Sequence, residues 1–260
     1  MTRDKVPRIH LVSRPSFDVD EFLRFLNDHG LTWSRTAGAS AAEEAVEAAG
    51  RLCYMSFGTR QSARSNSEYI DNLIREGHES VLEHASWSFV LTGVSRSFTH
   101  QFVRHRVGFA FSQLSQQYYD QSETAAVEPR FLGVSQEAAA KWRQAVESSQ
   151  QAYRDILRLL EESDTENPLI PHQERERRRA IRSAARSVLP EATESKVFFT
   201  ANARAIRDFL ALRGCILGDE EMRVVCAALL ECIRREAPSL FKDFVIEDVD
   251  GLPVVRQVSI

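Results

Sequence analysis

Two short runs rich in aromatic and β-branched residues, ASWSFVLTGV (85–94) and KVFFTAN (196–202), each lie between segments whose apolar residues recur at helical spacing. That alternation predicts strands at both runs within a chain of otherwise helical character. RIHLVS (8–13) reads as a third strand. Helices are predicted over 18–30, where Asp18 can cap and Gly30 can end the helix, and over 42–53, 65–77 and 96–106. The long stretch 136–163 is amphipathic, with Trp142, Val146, Tyr153, Ile156 and Leu160 near one face. Further helices are expected over 174–189, ending at Pro190, over 203–214, closed by Gly214, over 219–235, and briefly over 240–245. Residues 33–41 and DTENPLIPH (164–172) read as loops, and 107–120 as a loop leading into a strand. With no internal repeat and no low-complexity linker, the pattern predicts a single α+β domain over 1–260.

A chain of 260 residues that is 43% hydrophobic and 27% charged can bury a full core, which excludes disorder and a collagen-like or coiled-coil main state. No apolar run reaches the roughly 20 residues of a membrane helix. The start, MTRDKVPRIHLV, has no apolar signal core, so the cytoplasm is the expected location and no membrane partner is expected.

A net charge of −4 argues against a general polyanion binder, and no nucleic-acid partner is expected. Of the 33 basic residues only Lys5, Lys141, Lys196 and Lys242 are lysines. Arginine suits phosphate, but a GC-rich codon supply has the same effect, so only clustered arginines carry weight. ERERRRAIR (174–182) interleaves acids with its arginines and reads as a solvated or subunit-interface helix. The cysteines Cys53, Cys215, Cys226 and Cys232 show no C-x-x-C spacing and read as buried reduced thiols. Four of the seven histidines, His78, His84, His100 and His105, fall between residues 78 and 105. GHESVLEHASW lacks the H-E-x-x-H spacing of a metal helix and no third ligand stands out, so no metal site is expected.

The segment QFVRHRVGFAFSQLSQQYYDQ (101–121) is the most unusual stretch. Three consecutive cations, Arg104, His105 and Arg106, precede Phe109, Phe111, Tyr118 and Tyr119, interleaved with Ser112, Gln113, Ser115, Gln116 and Gln117. Arginines grip phosphate, aromatic faces suit a flat ring, and amides read donor and acceptor edges. The same inventory also describes a charged helix end followed by a polar loop.

Arg104-His105-Arg106 with Ser115 beyond it resembles the signature of the flavin-dependent thymidylate synthases, the ThyX family. Four more ordered segments are similar to that family's: CYMSF (53–57), GHESVLEHASWSF (77–89), ARSVLP (185–190) and FFTANARAIRDFLALR (198–213). The resemblance implies an α+β fold with a central mixed or antiparallel sheet and flanking helices, assembled as a homotetramer with FAD at subunit interfaces. It implies reductive methylation of uracil C5 in dUMP, with methylenetetrahydrofolate giving the one-carbon unit and NADPH reducing FAD. A flavin carries such redox chemistry while the protein binds and orients.

Carried onto this chain, the resemblance places Arg104, His105, Arg106, His84, Ser56, Asn202 and Arg204 at the flavin. It places Gln101, Gln113, Ser115, Gln117, Arg186 and Arg213 at the nucleotide. Arg213 is the expected catalytic group, an anchored cation that stabilises charge on uracil as C5 becomes nucleophilic. Ser115 lacks a neighbouring base and reads as a binding residue rather than a nucleophile.

Three features depart from the family pattern. Eight residues separate Arg106 from Ser115, often one fewer in the family, and the extra one falls in VGFAF. Gln117 stands where the family usually has an arginine that helps hold the nucleotide. In GCILGDEEMR (214–223), Leu217 and Gly218 replace commonly polar positions. The first two suggest a shifted substrate, with UMP beside dUMP, as in the specialised UMP/dUMP methylases of nucleoside-antibiotic pathways such as the polyoxin one. Two other readings compete: a non-catalytic nucleotide- or RNA-binding module that kept the pocket, and a metal-dependent hydrolase built on His78 and His84.

Overall fold

The computed structural model describes residues 6–163 and 170–259. In chain order these form β1 (Arg8–Ser13), α1 (Val19–Asp28), α2 (Ala41–Tyr54), α3 (Asn66–Arg75), β2 (Ser86–Ser95), α4 (Arg96–Phe102), β3 (Phe109–Gln113) and α5 (Gln136–Glu162). There follow α6 (Pro171–Ala185), β4 (Glu194–Asn202), α7 (Ala203–Arg213), α8 (Glu220–Glu236), α9 (Pro238–Phe241), β5 (Phe244–Val249) and β6 (Leu252–Gln257). Short 3-10 turns lie at Gly58–Arg60, Glu79–His84, Arg130–Val134 and Arg186–Val188. Four strands form one sheet in the order β1-β2-β4-β3. Leu114 N–H donates to Lys196 O at 2.9 Å and Asn202 N–H to Gly108 O at 3.2 Å, a crossed register that makes β3 and β4 antiparallel.

The chain divides into two compact units. The larger holds residues 8–90, 105–111 and 198–260, and three of the boundaries fall inside β2, β3 and β4. Its helices start where side chains can replace missing backbone acceptors. Asp18 Oδ1 accepts from Glu21 N–H at 2.9 Å, and Ser40/Glu43 and Ser65/Glu68 close reciprocal capping boxes. Leu26, Trp33, Ala48 and Phe57 form one buried cluster, with Phe17, Phe22, Leu23, Phe25 and Leu31 packed against it. Phe89 stacks on Phe199 with centroids 4.9 Å apart, and Phe109 meets both Phe199 and Phe209. The β5–β6 hairpin turns through Asp250 (φ 57°) and Gly251 (φ 75°), and β6 packs on α7 and α8. Buried Arg223 ties that hairpin to the α7–α8 loop by donating to the carbonyls of Val249, Leu252, Pro253 and Leu217.

The smaller unit comprises the described part of 1–7 with 91–104 and 112–197. Its core is the α5–α6 pair, where Tyr153, Leu157, Ile181 and Ala185 are buried with Ile156, Leu160, Val188 and Leu189 against them. Tyr153 Oη donates to Asp120 Oδ1 at 3.1 Å and accepts from Gln121 N–H at 3.1 Å.

Several sequence expectations change. The helix expected over 96–106 stops at Phe102, so Arg104, His105 and Arg106 leave the helix face and enter a turn. Within 107–120 the strand comes first, at Phe109–Gln113, and the loop follows. The basic helix begins at Pro171 rather than 174 and gives way to a 3-10 turn at Arg186, and Gly214 stays right-handed at φ −67°. The short helix expected over 240–245 is Pro238–Phe241, followed directly by a strand. Cys53 and Cys215 are exposed, not buried. Residues 164–169 of the expected loop lie outside the described residues, while Pro171 and His172 are helical. Among the described residues no helix is long and apolar enough to cross a membrane.

Candidate active site

In the larger unit the signature turn is built on Gly108. Arg106 C=O accepts from Phe109 N–H at 3.3 Å, and Gly108 sits at φ +72° between them. A Cβ on Gly108 would come within 2.6 Å of Ala205 Cβ and 2.8 Å of Asn202 Nδ2. Both backbone angle and space therefore require glycine. Asn202 in turn caps α7, its Oδ1 accepting from Ala205 N–H at 2.9 Å. The turn carrying His105 and Arg106 is thus seated on the first turn of α7. Gly108→Ala is expected to cost about 2 kcal/mol of stability, since strain and overpacking add. Urea unfolding checks this, and a variant as stable as the parent contradicts it.

His84 ends the 3-10 turn that leads into β2, and it is exposed. Ala85 C=O accepts from Ala203 N–H at 2.8 Å, and Arg204 pairs with Glu83 at 2.7 Å and Glu79 at 3.7 Å. These contacts bring His84, Asn202 and Arg204 to the N-terminal end of α7. Ser56 lies in the turn after α2, where Met55 is left-handed. Arg51, wholly buried, holds that turn by donating to Ser56 O at 3.3 Å while pairing with Glu47 at 2.6 Å and lying over the Tyr69 ring at 4.4 Å.

His105 packs edge-on against Phe209, centroids 5.0 Å apart. Burial first, and the Arg213 charge second, hold its imidazole below the ordinary 6.5. It is therefore neutral at pH 7 and not the third cation that the sequence suggests, because burial and the Arg213 charge disfavour its protonated form. Because the unfolded chain takes this proton more readily, acidification below about pH 6.5 draws stability from the fold, and above that pH the group contributes nothing. NMR titration is expected to show His105 below 6.5 and moving upward in Arg213→Gln; a value at or above 6.5 in the parent contradicts this. Arg213 ends α7 and pairs with Asp219 at 2.7 Å.

In the smaller unit Gln113 ends β3, Ser115 and Gln117 lie in the loop after it, and Arg186 caps the end of α6, where its charge acts on Arg96. Gln113 Nε2 donates to Thr99 Oγ1 at 2.7 Å and Ser195 Oγ at 3.1 Å. Ser115 Oγ accepts from Gln117 N–H at 3.2 Å, the behaviour of a turn-forming hydroxyl rather than a nucleophile. Gln101 and Arg104 are joined by Arg104 N–H to Gln101 O at 3.2 Å, with Gln101 and Arg104 exposed.

Sequence reasoning missed four residues here. Arg96 donates to Leu114 O at 3.4 Å, and burial, reinforced by the charge of Arg186, lowers its pKa against the opposing pull of Glu191. Nothing in VSRSF separates it from an ordinary helix arginine. Arg179, Arg182 and Ser183 of α6 also reach the loop, which departs from the solvated or subunit-interface helix expected from the sequence. Their spacing from Arg186 was the available signal. Among the described residues no group of three or more His, Cys, Asp or Glu is placed to hold a metal ion.

Residues 36–239, spanning both sets of side chains, match the family of the thymidylate synthase complementing protein, and the chain belongs to that family, the flavin-dependent thymidylate synthases. It is 38% identical over 220 residues to the flavin-dependent thymidylate synthase of Corynebacterium aurimucosum, covering 84% of this chain and 86% of the relative. It is 39% identical over 234 residues to that of Mycobacteroides abscessus and 40% over 235 to that of Mycobacterium avium, covering 88% of this chain and 90% of the relative in both cases.

Proposed function

We propose that this chain methylates uracil C5 of uridylate, converting dUMP to dTMP and accepting UMP as a second substrate. Methylenetetrahydrofolate is the carbon donor, NADPH the reductant and FAD the cofactor. The working form is a cytoplasmic homotetramer with flavin at subunit interfaces. The transferred carbon arrives at the oxidation level of a methylene, so two electrons and a proton are needed to make a methyl group. A bound flavin supplies the hydride.

The supporting observation is the seating of the signature turn on α7, with an exposed Arg106 beside a neutral His105. That donor set fits a flavin dinucleotide. Forked guanidiniums such as those of Arg104 and Arg106 match a pyrophosphate, and a neutral imidazole at His105 adds no further cation. Ser56, His84, Asn202 and Arg204 complete the proposed flavin contacts. Gln101, Gln113, Ser115, Gln117 and Arg186 are assigned to the nucleotide. Arg213, anchored by Asp219, is assigned to the uracil, where a fixed cation stabilises the charge that develops as C5 attacks.

The test is competition between dUMP and UMP, with FAD, NADPH and methylenetetrahydrofolate supplied and products read by mass spectrometry. Methylation of both supports the proposal. Methylation of dUMP alone removes UMP, and flavin binding without methylation of either supports the non-catalytic binding module. Gln117→Arg is expected to shift the dUMP/UMP preference; an unchanged preference removes the link between Gln117 and UMP.

A further inference from the structure

Gln117 leaves a cation missing from the nucleotide loop only if nothing else brings one there. The smaller unit shows what does. Gln117 Nε2 donates to Ser183 Oγ at 3.0 Å, while its Oε1 accepts from Arg179 Nε at 3.2 Å. The second contact fixes the amide orientation, because a guanidinium only donates and so faces the oxygen. Arg179 also lies over the Tyr118 ring, 5.6 Å from its centroid, and Arg182 Nη1 donates to Tyr118 O at 2.9 Å. Arg179, Arg182 and Ser183 recur at helical spacing, so one face of α6 is turned to Gln117 and Tyr118.

The acid nearest Arg179 is Glu176, 3.8 Å away with both side chains about half exposed, a pairing too loose and too wet to neutralise it. Arg186 meanwhile sits close enough to Arg96 to depress its pKa. Asp120 acts on Arg182 and Glu191 on Arg96, while Arg179 has only the loose, wet Glu176 beside it, and such a guanidinium suits a dianion such as a phosphate monoester.

We infer that Arg179 supplies the guanidinium that grips the uridylate 5′-phosphate, with Gln117 as the positioning residue that aims it. The assignment rests on the function proposed above. The charge has moved from the loop to the helix, and the amide at 117 is its anchor. An arginine at 117 would face Arg179 as a like charge, which is why a single exchange at 117 does not test this arrangement.

The experiment exchanges the two side chains. In Arg179→Gln, KM for dUMP is expected to rise roughly 10- to 100-fold with kcat nearly unchanged, the loss of one charge-assisted hydrogen bond. Competitive inhibition by inorganic phosphate should weaken in parallel. The double variant Arg179→Gln/Gln117→Arg should recover most of both, which a merely structural contact would not do. Unchanged KM and phosphate inhibition in Arg179→Gln overturn the assignment. If that variant melts early, Arg179→Lys decides: the point charge should retain phosphate inhibition, and its loss in a folded protein overturns the assignment. A parent protein that binds no dUMP by calorimetry overturns the function reading itself, whereas a parent that binds dUMP as tightly as Arg179→Gln overturns only the role of Arg179.

Discussion

Arg213→Ala is expected to lower kcat for dUMP methylation by roughly 10²- to 10³-fold, the effect of removing one preorganised charge from a reacting centre. Three observations converge on this side chain. It ends α7, it is gripped by Asp219 at 2.7 Å, and its charge is felt by His105. Buried Arg223 holds the intervening loop by donating to Leu217 O at 3.0 Å, so the aspartate that aims Arg213 is itself fixed. A cation held this way pays little reorganisation when charge develops on the uracil. Asp219→Asn keeps the shape and weakens the grip, so a smaller fall in kcat is expected with melting temperature nearly unchanged. Steady-state kinetics on both variants check this. Arg213→Ala within threefold of the parent kcat, with folding intact, would contradict the role.

The second large effect is on stability. Asp243→Ala is expected to cost about 3–5 kcal/mol, because it strands a buried guanidinium. Arg207 and Asp243 are 4% and 3% exposed and meet in a two-pronged pair at 2.6 and 2.7 Å. Arg207 also donates to Leu240 O at 2.7 Å and lies over the Phe244 ring, while Gln257 Nε2 donates to the second Asp243 oxygen at 2.8 Å. This pair therefore joins α7, the end of α9 and the β5–β6 hairpin within the larger unit. Urea unfolding gives the number directly. A loss below about 1 kcal/mol would mean that water reaches the pair, as it does in surface ion pairs.

Helix starts were legible wherever a cap was present. Asp18, Ser40 and Ser65 each precede an acid three residues on, and each caps in the structure. The β5–β6 hairpin was equally legible but went unread: Asp250-Gly251 between runs of apolar and polar residues is a strong turn signal, obscured by the short helix expected just before it. The overrun of α4 has a different cause. QFVRHR keeps helical spacing to the end, and the break depends on Gly108 docking against Ala205 and Asn202, nearly a hundred residues away. Local pattern carries no trace of such a contact.

The same holds for the site. The signature residues were legible as a motif, but not the neutrality of His105, which arises from Phe209, burial and Arg213. Arg96 and Arg179 were invisible because an arginine on a helix looks the same whether it faces water or a loop. Only the fold shows that Gln117 is hydrogen-bonded to Arg179, and so turns an apparent loss of charge into a relocation.

The central claim, that this chain performs flavin-dependent methylation of uridylate, is tested most directly by one comparison. The purified protein stripped of flavin is incubated with dUMP, methylenetetrahydrofolate and NADPH, with and without added FAD, and the nucleotide is weighed by mass spectrometry. The account predicts a nucleotide heavier by one CH2 only where FAD is present. Product formed equally without FAD, or no product although FAD binds and dUMP binds, would contradict it.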